Sequence, residues 1–247
     1  MSGVLGVDLG GTRLRAVLRG RGRTLRISRP RPEPDSLLKT LRQIIGSRKL
    51  DGLVIGARGV WTRNERSALT KQLSSLAIKI RVMPDIELAW HAALGGTPGV
   101  VVVAGTGAIA FARATTGRSA RAGGLGPLIG DEGSAFWIGK KWLQTRPDAE
   151  QRRIAVRADR VRTIAALSKR ALRERPGLAK EAAHHLSDIT QRAALGSGLR
   201  GDVRVSWQGG LFAHKGLHRH FLKALPKNFI TQAPLQSPVE AASKLLP

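Results

Sequence analysis

The sequence predicts an α/β protein built from two related halves. Short apolar runs that are typical of buried strands alternate with segments whose apolar residues recur at helical spacing. Val4–Leu9 and Val100–Ala104 are two such runs, and each leads into a Gly- and Thr-containing turn and a returning strand. The shared order indicates an internal repeat. We expect one domain at 1–96 and a second at 97–247, joined at the Gly- and Pro-rich stretch 95–99.

The first half opens with antiparallel strands. Leu14–Leu18 and Leu25–Ser28 flank the Gly-Arg-Gly turn at 20–22 with the spacing of a β-hairpin. Further along, the patterns predict a helix over 37–45, strands at 53–55 and 78–82, and helices around 69–76 and over 86–94. We expect Asp35 or Ser36 to cap the first of these helices.

The second half repeats the opening and then becomes largely helical. The patterns predict a returning strand at 108–113, a helix at 135–143, an Ala-, Arg- and Leu-rich helical region over about 148–194, and a strand at 203–207. A helix, a strand and a last helix follow. The last helix either completes the second domain or packs back on the first.

Composition excludes several classes of protein. A hydrophobic fraction of 42% in 247 residues is too high for a disordered chain. The chain has no cysteine, which excludes disulfides, thiolate zinc sites, cysteine nucleophiles and cysteine-ligated iron–sulfur clusters. No basic and apolar leader is evident, and no run approaches the roughly 18 apolar residues of a membrane span. We therefore expect a soluble, cytoplasmic protein with no membrane partner.

The charge balance is strongly basic. Lysine and arginine total 42 against 17 aspartate and glutamate, for a net charge of +25, and eight arginines fall between Arg13 and Arg31. Such a surplus attracts nucleotides, sugar phosphates or nucleic acid. These arginines alternate along the predicted hairpin as on a solvated face, so we favour general attraction of anions and expect no specific nucleic-acid partner.

Two glycine-rich turns have the chemistry of phosphate sites. Asp8 ends the first strand and is followed by Gly10, Gly11 and Thr12, whose amides and hydroxyl can donate to phosphate oxygens while a carboxylate holds Mg²⁺. The same chemistry recurs in the second half at Gly105, Thr106 and Gly107. Either turn alone could be an ordinary hairpin, and the pair is more specific than its members.

Asp85 lies between a predicted strand and the helix over 86–94. As a structural residue it would be the N-cap of that helix. As a functional residue it would be a general base for a substrate hydroxyl. The sequence leaves both roles open.

A second acidic candidate lies in the stretch 123–134, which is unusually rich in glycine. Gly123 and Gly124 open it, and Asp131 is placed to hydrogen-bond hydroxyl groups near a helix start. Asp131 and Ser134 could equally be caps of the helix at 135–143. The two roles are compatible.

Three histidines near the C-terminus invite a metal interpretation. His214 and His218 are four residues apart, and His220 follows. No acidic residue nearby completes a ligand set, so we favour a solvated basic helix.

Four segments together resemble a known family. They are Asp8–Thr12, Met83–His91, Val100–Ile109 and Gly123–Ile138, the last of which is the most specific. Their order and residues resemble the N-acetylglucosamine kinase-like and BadF/BadG/BcrA/BcrD ATPase family of the sugar kinase, Hsp70 and actin superfamily. Weaker matches reach the C-terminal region. The resemblance implies an actin-like ATPase fold: two ribonuclease H-like domains with an ATP cleft between them.

The resemblance also implies site residues. It assigns Mg²⁺ binding to Asp8, proton acceptance to Asp85, phosphate binding to Gly10, Gly11, Thr12, Gly105, Thr106 and Gly107, adenosine contacts to Gly209 and Gly210, and sugar contacts to Gly123, Gly124 and Asp131. The implied reaction is in-line phosphoryl transfer from ATP to an amino sugar, either N-acetylglucosamine or glucosamine. A homodimer is compatible with this assignment.

The chain departs from the family in three ways. An Asn that usually helps to hold the acetamido sugar is missing from 28–34, Leu125 replaces a usual Trp, and the helical region after Trp142 is short. The acceptor sugar is therefore open.

Two alternatives stand beside the kinase. One is a BadF/BadG-type ATPase that works without a cluster, because the related ATPases that activate dehydratases need cysteines for one and this chain has none. A basic nucleic-acid-associated protein on a degenerate kinase scaffold would explain the charge, but the chain keeps its candidate carboxylates and has few aromatic residues for stacking.

Overall fold

Two compact units make up the chain in the computed structural model, which describes residues 3–20 and 22–246. One unit is Met1–Gly96 with Leu235–Pro247, and the other is Thr97–Pro234. Residues 235–247 lie in the first unit. The sequence analysis counted them with the second domain and allowed the last helix to pack back on the first.

Ten strands and ten α-helices are found in the described residues. The strands are β1 (Gly3–Leu9), β2 (Arg13–Gly20), β3 (Arg23–Pro30), β4 (Leu50–Ala57), β5 (Ala77–Pro84), β6 (Gly99–Ala104), β7 (Ala108–Arg113), β8 (Ser119–Gly123), β9 (Val203–Gln208) and β10 (Phe229–Thr231). The helices are α1 (Leu37–Ile45), α2 (Arg63–Leu73), α3 (Asp85–Leu94), α4 (Ala135–Leu143), α5 (Asp148–Ala155), α6 (Arg160–Ala166), α7 (Ser168–Glu174), α8 (Gly177–Ser197), α9 (Lys215–Ala224) and α10 (Pro238–Ala242).

The two units share one sheet topology. The first sheet has the order β3-β2-β1-β4-β5, and the second, read from its opposite edge, has the order β8-β7-β6-β9-β10. In both sheets the first three strands are antiparallel neighbours, while the remaining two run parallel to the central strand. The predicted internal repeat is confirmed. The middle residue of the predicted hairpin turn at 20–22, Arg21, lies outside the described residues.

The first sheet is covered on both faces because its central strands are apolar on both sides. One face packs on α1 and α2 through a core that includes Leu5, Leu41 and Leu73, all fully buried. The other face packs on α3 and α10. Gly6 permits that contact, because a Cβ there would lie 2.3 Å from the backbone N of Ser243. In the second unit, α8 packs along β6, β7 and β8.

One helix start and one helix end differ from the sequence prediction. A 3₁₀ turn at Pro34–Ser36 precedes α1, and Ser36 makes no capping hydrogen bond with its side chain. The helix predicted around 69–76 ends at Leu73, and it begins at a Thr62–Glu65 capping box. Local hydrogen bonds to alternative backbone partners decide such starts.

Among the described residues, no helix is both long enough and apolar enough to cross a membrane.

Candidate active site

Three parallel strands of the first unit end at the same edge of their sheet. Leu9 is paired with Ala57, and Ala57 with Pro84, so β1, β4 and β5 end in register. Arg58 is the first residue after β4, and Asp85 is the first after β5. The backbone N of Arg58 also donates to the carbonyl of Leu9 at 3.1 Å. The turn after β1 therefore meets a guanidinium and a carboxylate at the edge where open α/β sheets commonly bind ligands.

Asp8 is a buried carboxylate in β1. Its residue is 8% exposed, and its Oδ2 accepts a hydrogen bond from Arg15 Nη1 at 3.3 Å. Burial raises the pKa of Asp8 above its ordinary value and outweighs the lowering by Arg15. A bound Mg²⁺ would oppose this shift, since a cation favours the carboxylate form.

The turn at 10–12 is held by Arg31. The backbone N of Arg31 donates to the carbonyl of Thr12 at 3.0 Å. Its Nη1 donates to the carbonyls of Leu9 and Gly10 at 3.3 and 2.7 Å. Gly11 itself is exposed. Gly11 is therefore open to solvent, while Arg31 bonds to the carbonyls of the residues on either side of it.

Asp85 has a strongly perturbed acidity. Its Oδ1 accepts a hydrogen bond from the backbone N of Ile86 at 2.9 Å. Burial, followed by the charge of Asp8, raises the pKa of Asp85 to about 6, although Arg58 and Arg31 oppose the shift. Pro84 occupies the N-cap of α3, so the N-cap role considered for Asp85 is wrong. A carboxyl with this pKa is ionised at neutral pH and can still accept a proton.

The second glycine-rich turn also lies at the C-terminal end of its strand. The carbonyls of Gly105 and Thr106 accept hydrogen bonds from the first two amides of α4, at 2.9 and 3.2 Å. A Cβ on Gly107 would lie 2.8 Å from Asp131 Oδ2. Glycine leaves room for this close approach, so the structure brings the predicted phosphate turn and Asp131 together.

Asp131 is not the cap of α4. The N-cap is Ser134, whose Oγ accepts a hydrogen bond from the backbone N of Trp137 at 3.1 Å. The Oδ1 of Asp131 instead accepts a hydrogen bond from the backbone N of Ala108 at 3.4 Å. Asp131 is 5% exposed and has a left-handed φ of 65°. Such strain in a buried carboxyl residue is more typical of a functional site than of a connector.

Two of the remaining candidates of the second unit, Gly124 and Gly209, contact the ends of β7 and β6 that flank the turn at 105–107. Gly124 donates to the carbonyl of Ala108 at 2.8 Å, which ties the start of the 123–134 loop to β7. A Cβ on Gly209 would lie 2.2 Å from the carbonyl oxygen of Ala104, so Gly209 contacts the end of β6. Gly210 begins a 3₁₀ turn at 210–213. Gly209, one of the adenosine candidates, thus lies next to the start of the glycine-rich turn at 105–107.

Two of the three histidines make structural contacts. His214 caps α9, since its Nδ1 accepts a hydrogen bond from the backbone N of Leu217 at 3.1 Å. His218 packs on Trp207 with ring centroids 4.4 Å apart, so it is not on the solvated face that we expected. Across residues 3–20 and 22–246, no cluster of three or more metal-ligating side chains is formed.

Sequence reasoning missed Arg31 and Arg58. Neither residue stands out in the sequence, because lysine and arginine are abundant in this chain. The one signal for Arg58 is its place directly after a buried apolar strand, where the chain leaves a sheet.

A family model decides the relationship. The model of the BadF/BadG/BcrA/BcrD ATPase family matches residues 5–244. The chain belongs to the BadF/BadG/BcrA/BcrD ATPase family. This confirms the resemblance that the sequence motifs indicated.

One curated relative of this BadF/BadG/BcrA/BcrD chain is the N-acetylmuramic acid/N-acetylglucosamine kinase of Clostridium acetobutylicum. The two are 40% identical over 94 residues, which are 37% of this chain and 31% of the relative. The chain therefore matches about a third of the length of that kinase.

Solved structures support the fold of the BadF/BadG/BcrA/BcrD chain. A candidate N-acetylglucosamine kinase from Chromobacterium violaceum has a TM-score of 0.74 at 19% identity, covering 99% of both chains. A second, from Porphyromonas gingivalis, has a TM-score of 0.72 at 20% identity, covering 99% of this chain and 98% of the other. These likenesses show the fold, and the predicted α/β class of the actin-like ATPases is confirmed.

Proposed function

We propose that the chain is an ATP-dependent kinase that phosphorylates a hydroxyl of an amino sugar, N-acetylglucosamine or glucosamine. The observation that carries this proposal is the carboxyl of Asp85, with its pKa of about 6, at the sheet edge where the turn after Asp8 begins. A base beside a phosphate turn is what phosphoryl transfer to a hydroxyl requires. The BadF/BadG/BcrA/BcrD family and the curated kinase relative support it.

The turn after β1 is suited to phosphate. Gly11 is open to solvent, and Thr12 adds a hydroxyl. Three guanidinium groups, those of Arg15, Arg31 and Arg58, lie around this turn and balance the phosphate charge. In the second unit, Gly105, Thr106 and Gly107 serve the same purpose.

The donor set fits Mg²⁺ bound together with a nucleotide. Mg²⁺ keeps several waters and needs only one or two protein carboxylates when phosphates supply further oxygens. Asp8, a buried carboxyl with one guanidinium partner, would hold the ion, directly or through water. Bound there, the ion would neutralise charge on the phosphates.

Asp85 accepts the proton of the acceptor hydroxyl. The hydroxyl oxygen forms a bond to the γ-phosphorus as its proton passes to Asp85, and the bond to the β–γ bridging oxygen breaks with its electron pair leaving on ADP. The ionised form of Asp85 is the active one. Most of the catalysis comes from positioning and charge stabilisation, so a single base suffices.

The remaining contacts, to the adenosine and to the sugar, are assigned to residues of the second unit. Gly209 and Gly210 flank the adenosine, and Gly123, Gly124 and Asp131 contact the sugar. The burial and strain of Asp131 support its role, because a fixed carboxylate can accept two sugar hydroxyl hydrogen bonds.

The test is ADP release from Mg-ATP over a panel of hexoses, hexosamines and N-acetylhexosamines. We expect stimulation by an amino sugar, with one sugar phosphate formed for each ADP. ADP release that no sugar stimulates would contradict the proposal and favour an ATPase of another kind.

A further inference from the structure

A cavity lies in the first unit beside β5, the outermost strand of its sheet. Its volume is about 440 Å³, which is within the range of pockets that hold small molecules. Strand β5 and the segment that follows α10 line it with three cationic and three aliphatic residues: Lys79, Ile80, Arg81, Lys244, Leu245 and Leu246. The cavity therefore combines positive charge with an apolar surface.

Packing of the C-terminal segment against the sheet forms this cavity. Lys79 is paired with Gly52 of β4, and Leu246 packs directly on Gly52, where a Cβ would clash with its Cδ1. Arg81 is two positions beyond Lys79, so both side chains lie on the face of the sheet that the segment covers. Leu245 and Leu246 also pack on the apolar cluster of α3 and α10. Core packing thus holds the two walls of the cavity together.

Neutral groups orient two of the three cations. The Nη1 of Arg81 donates to the carbonyl of Leu245 at 3.2 Å, and the Nζ of Lys244 donates to Gln236 Oε1 at 2.9 Å. Within residues 3–20 and 22–246, neither these two residues nor Lys79 forms an ion pair, and no carboxylate lines the cavity. An ammonium has three donors and a guanidinium five, so further donors remain for a ligand.

The charge and number of these donors select a class of ligand. A phosphate monoester carries a charge of about −1.5 to −2 at neutral pH and has three strong acceptor oxygens. Three cations match it more closely than they match a carboxylate, which has a single charge and two oxygens. The aliphatic side chains of Ile80, Leu245 and Leu246 would contact an apolar body attached to the phosphate.

We propose that this cavity is a binding site for a phosphate monoester with an apolar body. The site is separate from the candidate active site, because Lys79 precedes Asp85 by six positions of extended strand, about 20 Å. Lys79, Arg81 and Lys244 are exposed, so a ligand reaches them directly from solvent. The inference goes beyond the proposed kinase function and does not depend on it.

The experiment is a calorimetric titration of the full chain with three probes in a buffer without phosphate. Phenyl phosphate has both the charge and the apolar body, inorganic phosphate has only the charge, and benzoate has a carboxylate on the same ring. We expect phenyl phosphate to bind with a Kd about tenfold or more below those of the other two, because only it uses the cations and the aliphatic surface together.

Two charge-matched double variants show where the probe binds. Lys79→Gln with Lys244→Gln removes two cations of the cavity, whereas Arg63→Gln with Lys71→Gln removes two exposed cations of α2 that do not line it. We expect the cavity variant to weaken phenyl phosphate binding by about tenfold to hundredfold, and the α2 variant to change it less than about twofold. Thermal melts control for folding, and Lys79→Gln alone repeats the test with a single exposed side chain.

Several results would overturn the inference. Equal weakening in the two double variants would show general attraction by the net charge, and an unchanged affinity in the cavity variant would place the probe elsewhere. Benzoate or inorganic phosphate binding as tightly as phenyl phosphate would contradict the ligand class, and no binding of phenyl phosphate would contradict the site. None of these results bears on the proposed kinase function, which ADP release over the sugar panel tests separately.

Discussion

At the scale of single residues, Asp85 combines two opposing electrostatic effects. Burial and Asp8 raise its pKa, while Arg58, Arg31 and the amide of Ile86 lower it, and the balance is about 6. A carboxyl whose pKa is raised on folding holds its proton more tightly in the folded state. Its contribution to stability is therefore fully present below the ordinary aspartate pKa of 3.8 and is lost as the pH rises from there through about 6.

The pH dependence of the reaction follows from the same pKa. We expect kcat/KM for the acceptor to rise with pH along a limb of unit slope and to level off above about pH 6, because only the ionised carboxyl accepts the proton. Arg58→Gln should move this limb to higher pH, because it removes a cation that favours the anion.

Arg63→Gln is the control for that limb, since it should leave the limb in place. A limb that stays at the same pH in Arg58→Gln would contradict the placement of Arg58 beside Asp85. Rates over pH 5 to 8, at constant ionic strength, provide the measurement.

At the scale of elements, the C-terminal helix α10 is fixed to the first sheet. Glu240 binds Arg19 at 2.6 Å and Arg26 at 2.8 Å. The Nε of Arg19 also donates to Ser243 Oγ at 2.7 Å. These partly exposed ion pairs are individually weak, so the close contact at Gly6 matters more to the docking.

Gly6→Ala tests that docking. Its Cβ would meet the backbone of Ser243, which cannot rotate aside, so we expect a loss of about 1 to 3 kcal/mol in the free energy of unfolding. Gly20→Ala in β2 is the matched control, because a Cβ there has no atom within 4 Å. Denaturant unfolding of both variants is the measurement, and equal stabilities would show that α10 does not pack this closely.

The sequence predicted most elements because their patterns are local. Apolar runs such as Val100–Ala104 and the repeated turns gave the strands, the internal repeat and the candidate phosphate residues. The start of α1 was harder to predict from the sequence, because side-chain caps compete with a 3₁₀ turn at Pro34–Ser36. Helix-capping chemistry alone could not decide it.

Contacts that depend on strand register were beyond the sequence. Arg58 and Asp85 are 27 positions apart in the sequence. They lie at the same edge of the sheet only because β1, β4 and β5 end in register. The approach of Asp131 to Gly107 likewise needs the folded loop. The candidate residues of the site stay predictions, since their roles rest on the reaction and not on the fold.

At the scale of the whole molecule, the net charge of +25 attracts anions in general. Arg13 and Arg15 are exposed on β2, where they alternate with buried Leu14, whereas β3 is exposed along nearly its whole length. We expect this surface to attract nucleic acid weakly and without regard to sequence. Gel shifts should lose the complex steeply with salt, and discrimination between two sequences at physiological salt would contradict the expectation.

The most direct test of the central claim is single-turnover phosphoryl transfer by Asp85→Asn, with an amino sugar that the parent protein phosphorylates. Asn keeps the size of the side chain and cannot accept the hydroxyl proton, so we expect the rate to fall by roughly 10² to 10⁴ while ATP still binds. Thermal melts at pH 7.5 should show no loss of stability, because the substitution removes a carboxylate that folding disfavours. A rate close to that of the parent protein, in a variant that melts normally and binds ATP, would contradict Asp85 as the base.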